Sequence, residues 1–224
     1  MFLQEHFDQG ADDDAEYPNK WPAHPSMQGF RPFMEAFYRQ CDAVCIELVK
    51  AIEVGFDVEQ GSLVKRCIPA ATDLRLTHYP QITVEEMRAG HTSRIAPHSD
   101  FGIVTLLFQD SCGGLEVEDR ANLGTYLPIP PTDTTEMIVN VGDTLERWTN
   151  AKLTGGVHRV SIPEGIRDEN GVTLGERFSM AYLFKAERNV SVGPLEQFMN
   201  FDKANFPSIT ALEFQKWRNN TLYT

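Results

Sequence analysis

Two short stretches put hydrophilic side chains where a β-strand would place apolar ones. In PHSDFGIVTLLFQD, Pro97 to Asp110, His98 and Asp100 stand two positions apart at the head of an apolar run. Side chains at i and i+2 of a strand share a face, so the pair projects together while Ser99 points the other way. A neutral imidazole and a carboxylate side by side offer a divalent metal two ligands, and the third belongs on a neighbouring strand. His158, in GGVHRVSI, is the other downstream histidine inside a β-type apolar run. Two histidines and one carboxylate on one face of an octahedron leave three positions open, an arrangement suited to non-haem Fe(II) with a chelating cosubstrate and oxygen. The HExxH spacing of many zinc sites is absent. Taken alone, HxD also reads as a hydrogen-bonded pair at a strand end.

The second stretch is ERFSMAYLF, with Arg177 and Ser179 again two apart at the head of an apolar strand. A buried arginine needs an anion or equivalent acceptors, and its planar fork grips a carboxylate with two hydrogen bonds to which a serine hydroxyl adds a third. Read in isolation, Arg177 could instead lie at the surface, paired to Glu176 or Glu187. The remaining histidines lack this two-apart geometry. His6 and His24 lie in a polar lead-in and are expected to face solvent, His78 reads as a hydrogen-bonded strand histidine, and His91, in a glycine-containing loop, is a weaker substrate-contact candidate.

These side chains need rigid elements to hold them. TDLRLTHY, GIVTLLFQ, GLEVED, TEMIVNV, GVHRVSI and RFSMAYLFK are β-type runs separated by turn signals at Gly113-Gly114, Asp119 to Asn122, Pro130-Pro131, Gly155-Gly156 and Asp168 to Gly171. Their spacing suits an antiparallel sandwich or small barrel. Ahead of them, Phe30, Phe33, Phe37, Cys41, Val44, Leu48 and Ile52 advance by threes and fours, which predicts one apolar stripe of a long packing helix. Thr210 and Glu213 have capping-box spacing and open a last helix. The expected organisation is one domain over residues 1–224: a loop-like lead-in and packing helix at 1–70, a β core at 71–190 and a helical segment at 191–224. Val104, Leu106, Leu115 and Val160 are candidates for packing around the site, and ordinary core packing accounts for them equally well.

Composition narrows the function classes. With 20 Lys and Arg against 32 Asp and Glu, the net charge of −12 opposes binding of a phosphate backbone and argues against nucleic acid. No run reaches the roughly 18 apolar residues of a membrane span, and the first residues do not read as a secretory signal, so a cytoplasmic protein with no membrane partner is expected. Cys41, Cys45, Cys67 and Cys112 contain no CxxC pair and read as small buried residues.

The order and spacing of HxD, then NVGDTLERWTN, then VHRV, then RFS closely resemble the isopenicillin N synthase-like branch of the Fe(II) and 2-oxoglutarate-dependent dioxygenases, from about Asp8 to Glu187. The resemblance implies a mainly β fold, the double-stranded β-helix or jelly roll with flanking α-helices. It implies Fe(II) held by His98, Asp100 and His158, and 2-oxoglutarate held at its far carboxylate by Arg177 and Ser179. Tyr79, in HYP, matches a tyrosine that often contacts cosubstrate or substrate, and alternatively packs as a strand aromatic. The implied activity is O2-dependent oxidation of a small organic molecule, by hydroxylation, desaturation or ring formation, in secondary metabolism, with ascorbate as an optional reductant. The alternatives are a family oxidase that does not use 2-oxoglutarate and a non-catalytic jelly-roll subunit. Two departures from the family pattern stand out. Family members usually carry a further N-terminal part, so the resemblance leaves two readings open: a naturally short protein, or a second copy or homologous partner that supplies that wall. LTGGVHRV also replaces the usual KSTVHRV, and Lys185-Ala186 replaces an asparagine-proline pair, with Gly155 and Gly156 expected to loosen the approach to His158.

Overall fold

The computed structural model describes residues 4–89, 94–131, 136–166, 171–199 and 203–222. The chain opens with β1 (Glu5–Gln9) and the long helix α1 (Phe30–Gly55). It continues through β2 (Asp73–Tyr79), β3 (Ile82–Thr83), the short helix α2 (Val84–Arg88), β4 (Ile95–His98), β5 (Val104–Gln109), β6 (Leu115–Glu118), β7 (Tyr126–Pro128) and β8 (Ile138–Val141). Then come α3 (Asp143–Trp148), β9 (His158–Val160), β10 (Thr173–Leu174), β11 (Arg177–Phe184), α4 (Glu196–Met199) and α5 (Ala211–Leu222).

The strands form a five-stranded sheet in the order β1-β2-β11-β5-β8, a four-stranded sheet in the order β4-β9-β6-β7, and a small β10-β3 pair. Every pairing is antiparallel. Between β4 and β11 the chain passes repeatedly from the smaller sheet to the larger and back, the winding of a double-stranded β-helix. All six strand-like runs in the sequence hold a strand.

The strands of the larger sheet bury both faces differently. Leu74, Val104, Leu106, Tyr182 and Phe184 point outward and pack with Met34, Tyr38, Cys41, Cys45 and Val49 of α1 in the main apolar core. Each such side chain, fully buried, contributes about 1.5–3 kcal/mol. Polar tips inside this layer are satisfied: Tyr182 donates to Asp42 at 3.0 Å and Tyr38 to the Thr72 carbonyl at 3.1 Å. The residues between them, Arg75, Thr77, Tyr79, Thr105, Leu107, Arg177, Ser179, Ala181 and Leu183, line a cavity between the two sheets instead. The core thus lies outside the sandwich, and the interior is left for a site.

Two expectations change and a third is resolved. The buried stripe of α1 is Met34, Tyr38, Cys41, Cys45, Val49 and Glu53, displaced by about one residue from the predicted stripe, and Phe33 is 62% exposed. Both sets have helical period, and Phe33 and Phe37 stack on each other at the flank. Glu53 is buried because its carboxylate accepts from the amides of Gly61, Leu63 and Val64, which folds the following loop onto the helix. The lead-in, expected as loop, contributes β1, which pairs with β2 along its whole length. Finally, the four candidates for packing around the site divide between their two readings: Val104 and Leu106 face α1 in the core, and Leu115 and Val160 line the cavity.

Candidate functional site

His98 closes β4 and His158 opens β9; the two are direct partners across the smaller sheet. Asp100 lies just beyond β4, in the loop that crosses to β5 in the larger sheet. The HxD pair is therefore a strand end plus a crossing loop rather than two teeth of one strand, yet the side chains still converge. Oδ1 of Asp100 lies 3.8 Å from Nε2 of His98 and 3.9 Å from Nε2 of His158, and the three candidate donor atoms all lie within 4.8 Å of one another. At metal–ligand distances of about 2.1 Å, adjacent octahedral donors sit about 3 Å apart, so each nitrogen–oxygen separation is within about an ångström of that spacing, and the two nitrogens are within about 2 Å of it. Among the described residues this is the one group of three or more His, Cys, Asp or Glu side chains so placed.

The orientation of each donor is fixed. Nδ1 of His98 bonds the Ala96 carbonyl at 3.0 Å and Nδ1 of His158 the Gly156 carbonyl at 2.9 Å. With Nδ1–H donating, each ring turns the lone pair of Nε2 toward Asp100. Burial, and then the neighbouring His158, hold the imidazolium form of His98 below its usual range. Asp100 is divided in the same way: Oδ2 accepts from Thr105 Oγ1 at 2.7 Å and Asn140 Nδ2 at 2.6 Å, leaving Oδ1 for the histidines.

The loop under Asp100 is laced to the start of α3. The carbonyls of Asp100, Phe101, Gly102 and Ile103 accept from the Asp143 amide, the Thr144 hydroxyl, the Thr144 amide and the Gly142 amide respectively, at 2.6–2.9 Å. This works because Gly142 has no side chain: a Cβ there would meet the Gly102 carbonyl oxygen at 2.3 Å. Gly155 and Gly156 are also tied rather than loose. The Gly155 amide donates to Glu146 at 2.6 Å and the Gly156 amide to the Val141 carbonyl at 3.1 Å, which steadies the approach to His158.

At the other end of the cavity Arg177 is 1% exposed. Its Nε donates to the Gly113 carbonyl at 3.2 Å and Nη2 to Gln109 Oε1 at 3.1 Å, while Nη1 is buried with no hydrogen-bond partner. A guanidinium nitrogen left so is costly unless an anion completes it. Ser179 lies on the same face two residues on, directly opposite both Thr77 and Gln109. Tyr79 pairs with Arg177 across the sheet and its ring lies 5.1 Å from the guanidinium. Burial raises the Tyr79 phenol above its usual value, although Arg177 and Ser179 draw it back. Neither Glu176 nor Glu187 is the partner of Arg177.

Sequence reasoning missed Thr105, Gln109, Asn140 and Arg94. Arg94 is fully buried, lies 6.0 Å from the Tyr79 ring and leaves Nε unpartnered. Arg94 precedes β4, whose register shifts between Ile95 and His98, so counting back from His98 by twos does not place it on the same face, and it does not line the cavity. His6 and His24 are exposed, and His78 faces outward, stacked on Phe178 and bonded to Glu5. His91 lies outside the described residues, as do positions 168–170 of one expected turn.

The cavity joining the two ends is about 380 Å³ and its remaining wall is largely aliphatic, including Leu107, Val117, Ile129, Ile138 and Leu183. Residues 71–186 match the 2OG-Fe(II) oxygenase superfamily. The chain belongs to that superfamily. Among its relatives, the 2-oxoglutarate-dependent dioxygenase imqE of Aspergillus flavus is 45% identical over 99% of this chain and 61% of its own length. The proline hydroxylase buaE of Petromyces alliaceus is 41% identical over 97% of this chain and 66% of its own. A full-length Neurospora crassa protein, solved in complex with alpha-KG, superposes with a TM-score of 0.89 at 29% identity, covering all of this chain and 67% of the Neurospora chain. The chain therefore spans about two thirds or less of these relatives. The superfamily is the coarser of the two groupings suggested by the motifs, and its double-stranded β-helix is the fold described above.

Proposed function

We propose that this superfamily member is an Fe(II)- and 2-oxoglutarate-dependent oxygenase acting on a small, largely apolar organic molecule of secondary metabolism. His98, Asp100 and His158 hold the iron, and Arg177 with Ser179 and Tyr79 holds the far carboxylate of 2-oxoglutarate. The single observation that carries the reading is the coexistence, in one cavity, of three converging donors at one end and a buried, incompletely bonded guanidinium at the other. The donor set suits iron because it is mixed nitrogen and oxygen, and leaves coordination positions for a chelating cosubstrate.

The bound pair supplies a two-electron oxidation of the substrate coupled to conversion of 2-oxoglutarate and O2 to succinate and carbon dioxide. The protein's part is binding, orientation and exclusion of water. Ala96 and Gly156 carbonyls keep both Nδ1 atoms protonated and both Nε2 atoms open. Thr105 and Asn140 hold Oδ2 of Asp100 so that the carboxylate presents one oxygen. Gln109 and Gly113 align Arg177, leaving Nη1 for the cosubstrate. Leu107, Val117, Ile129 and Ile138 form the apolar wall along which the substrate lies. The name proline hydroxylase carried by one relative supports a compact, saturated substrate with unactivated C–H bonds.

Anaerobic titration of the full chain with Fe(II) and then 2-oxoglutarate tests this. The expected result is a visible metal-to-ligand charge-transfer band, followed on admission of O2 by succinate. Fe(II) binding without that band removes 2-oxoglutarate and favours an oxidase that draws its electrons elsewhere.

A further inference from the structure

We propose that Arg218, near the end of α5, is a positioning residue for the metal ligands, bracing the backbone between His98 and Asp100 by gripping Ser99. The inference rests on the iron-site reading above. Nη2 of Arg218 lies 3.2 Å from Ser99 Oγ and 3.4 Å from the Ser99 carbonyl oxygen, while Nη1 is paired with the Asp143 carboxylate. The guanidinium also lies over the Phe101 ring, 5.0 Å from its centre. The Arg218 and Asp143 side chains are 18% and 12% exposed, so water competes weakly for these contacts.

The contacts close a ring around Asp100. Ser99 is its covalent neighbour, the Asp143 amide donates to the Asp100 carbonyl at 2.8 Å, and Arg218 joins the Asp143 carboxylate back to Ser99. Thr105 and Asn140 steady the carboxylate itself. The ring steadies the backbone from which it and His98 project.

The helix that carries Arg218 is docked by other means. Thr210 and Glu213 complete a reciprocal capping box. Phe214 is buried, and Arg147, bonded to the carbonyls of Val192 and Pro207, lies against the rings of both Phe206 and Phe214. Arg218 is thus presented on a fixed element, 119 residues along the chain from the Ser99 it braces. Groups that hold metal ligands in place typically change affinity 10–100-fold when altered.

The test is a double-mutant cycle on Co(II) binding, an oxygen-inert probe, in the full chain. Arg218→Lys keeps the ion pair with Asp143 but loses the fork, and Ser99→Ala removes the hydroxyl acceptor. Binding is read by calorimetry and by the Co(II) d–d spectrum, with urea midpoints as a check on folding. Arg218→Lys is expected to weaken Co(II) about tenfold and to alter the d–d band. Ser99→Ala should weaken it several-fold alone and have little further effect beside Arg218→Lys. Affinity within twofold of the unmodified chain in Arg218→Lys, or independent, multiplying effects, overturns the proposal. If His158→Ala binds Co(II) as well as the unmodified chain does, the iron-site reading is what has failed.

Discussion

At the scale of single residues, the two ends of the cavity should fail separately. Replacing Arg177 with Gln removes the charge-assisted hydrogen bonding that Nη1 offers the cosubstrate, about 1.5–3 kcal/mol per bond. The charge-transfer titration is expected to show 2-oxoglutarate binding weakened by about 100-fold or more, with Fe(II) affinity unchanged. Asn140→Ala should do the reverse: metal affinity falls about tenfold because Oδ2 of Asp100 is half released, while 2-oxoglutarate binding to iron-loaded protein changes little. A parallel loss of both ligands in either variant would contradict the separation. The candidate ligands and the candidate clamp stood out in the sequence, because a histidine, carboxylate or arginine at the head of an apolar strand is anomalous on its face. Thr105, Gln109 and Asn140 were not, since polar residues of those types are ordinary at strand positions and gain meaning only from a partner brought in by the sheets. Asn140 meets Asp100 across 40 positions of sequence, and Gln109 meets Arg177 across 68.

At the scale of elements, the crossing loop between β4 and β5 depends on two close backbone approaches. A Cβ at Gly102 would meet the Phe184 carbonyl oxygen at 2.3 Å, and one at Gly142 the Gly102 carbonyl oxygen at the same distance. Both contacts are with backbone, which cannot swing aside. Gly142→Ala is expected to destabilise the fold by about 3 kcal/mol or more in urea unfolding, well above an ordinary surface substitution. Gly29→Ala, where nothing lies within 4 Å, serves as the comparison and should change stability by less than about 1 kcal/mol. The strand-bearing runs and both long helices were readable from period and caps, but the position of HxD was not. Alternation cannot distinguish a strand that continues from one that ends and hands its next residue to another sheet. The apolar stripe of α1 shows the same limit, since two sets of residues one step apart both satisfy helical spacing and the sheet chooses between them.

At the scale of the whole molecule, the thiols report on the integrity of the layer between α1 and the larger sheet. Cys41, Cys45 and Cys67 are buried and unpaired there, and burial pushes their thiols up, to about 11 for Cys41 and about 12 for Cys67. Cys112 is half-buried beside Arg94, so the expectation that all four cysteines are buried holds for three. At pH 8 a chromogenic disulfide should modify at most one thiol in the folded chain and all four after denaturation. Fast reaction of a second thiol under native conditions would mean that the layer opens. Among the described residues no helix is long and apolar enough to cross a membrane.

Because the packed core lies on one side of the larger sheet and the cavity on the other, strands β2, β5 and β11 divide their positions by parity. The even-numbered residues 74, 104, 106, 182 and 184 belong to the core, and the odd-numbered 75, 77, 79, 105, 107, 177, 179, 181 and 183 face the cavity. A combinatorial library confined to Leu107, Ala181 and Leu183 would vary the shape offered to a substrate while leaving the core positions and the ligand-holding groups untouched. Such a library should therefore retain a high fraction of folded members, and the same number of changes at 104, 106 and 182 should not. Along these strands the wall of the cavity and the packing of the core are thus assigned to alternate residues, so the one can be varied without touching the other.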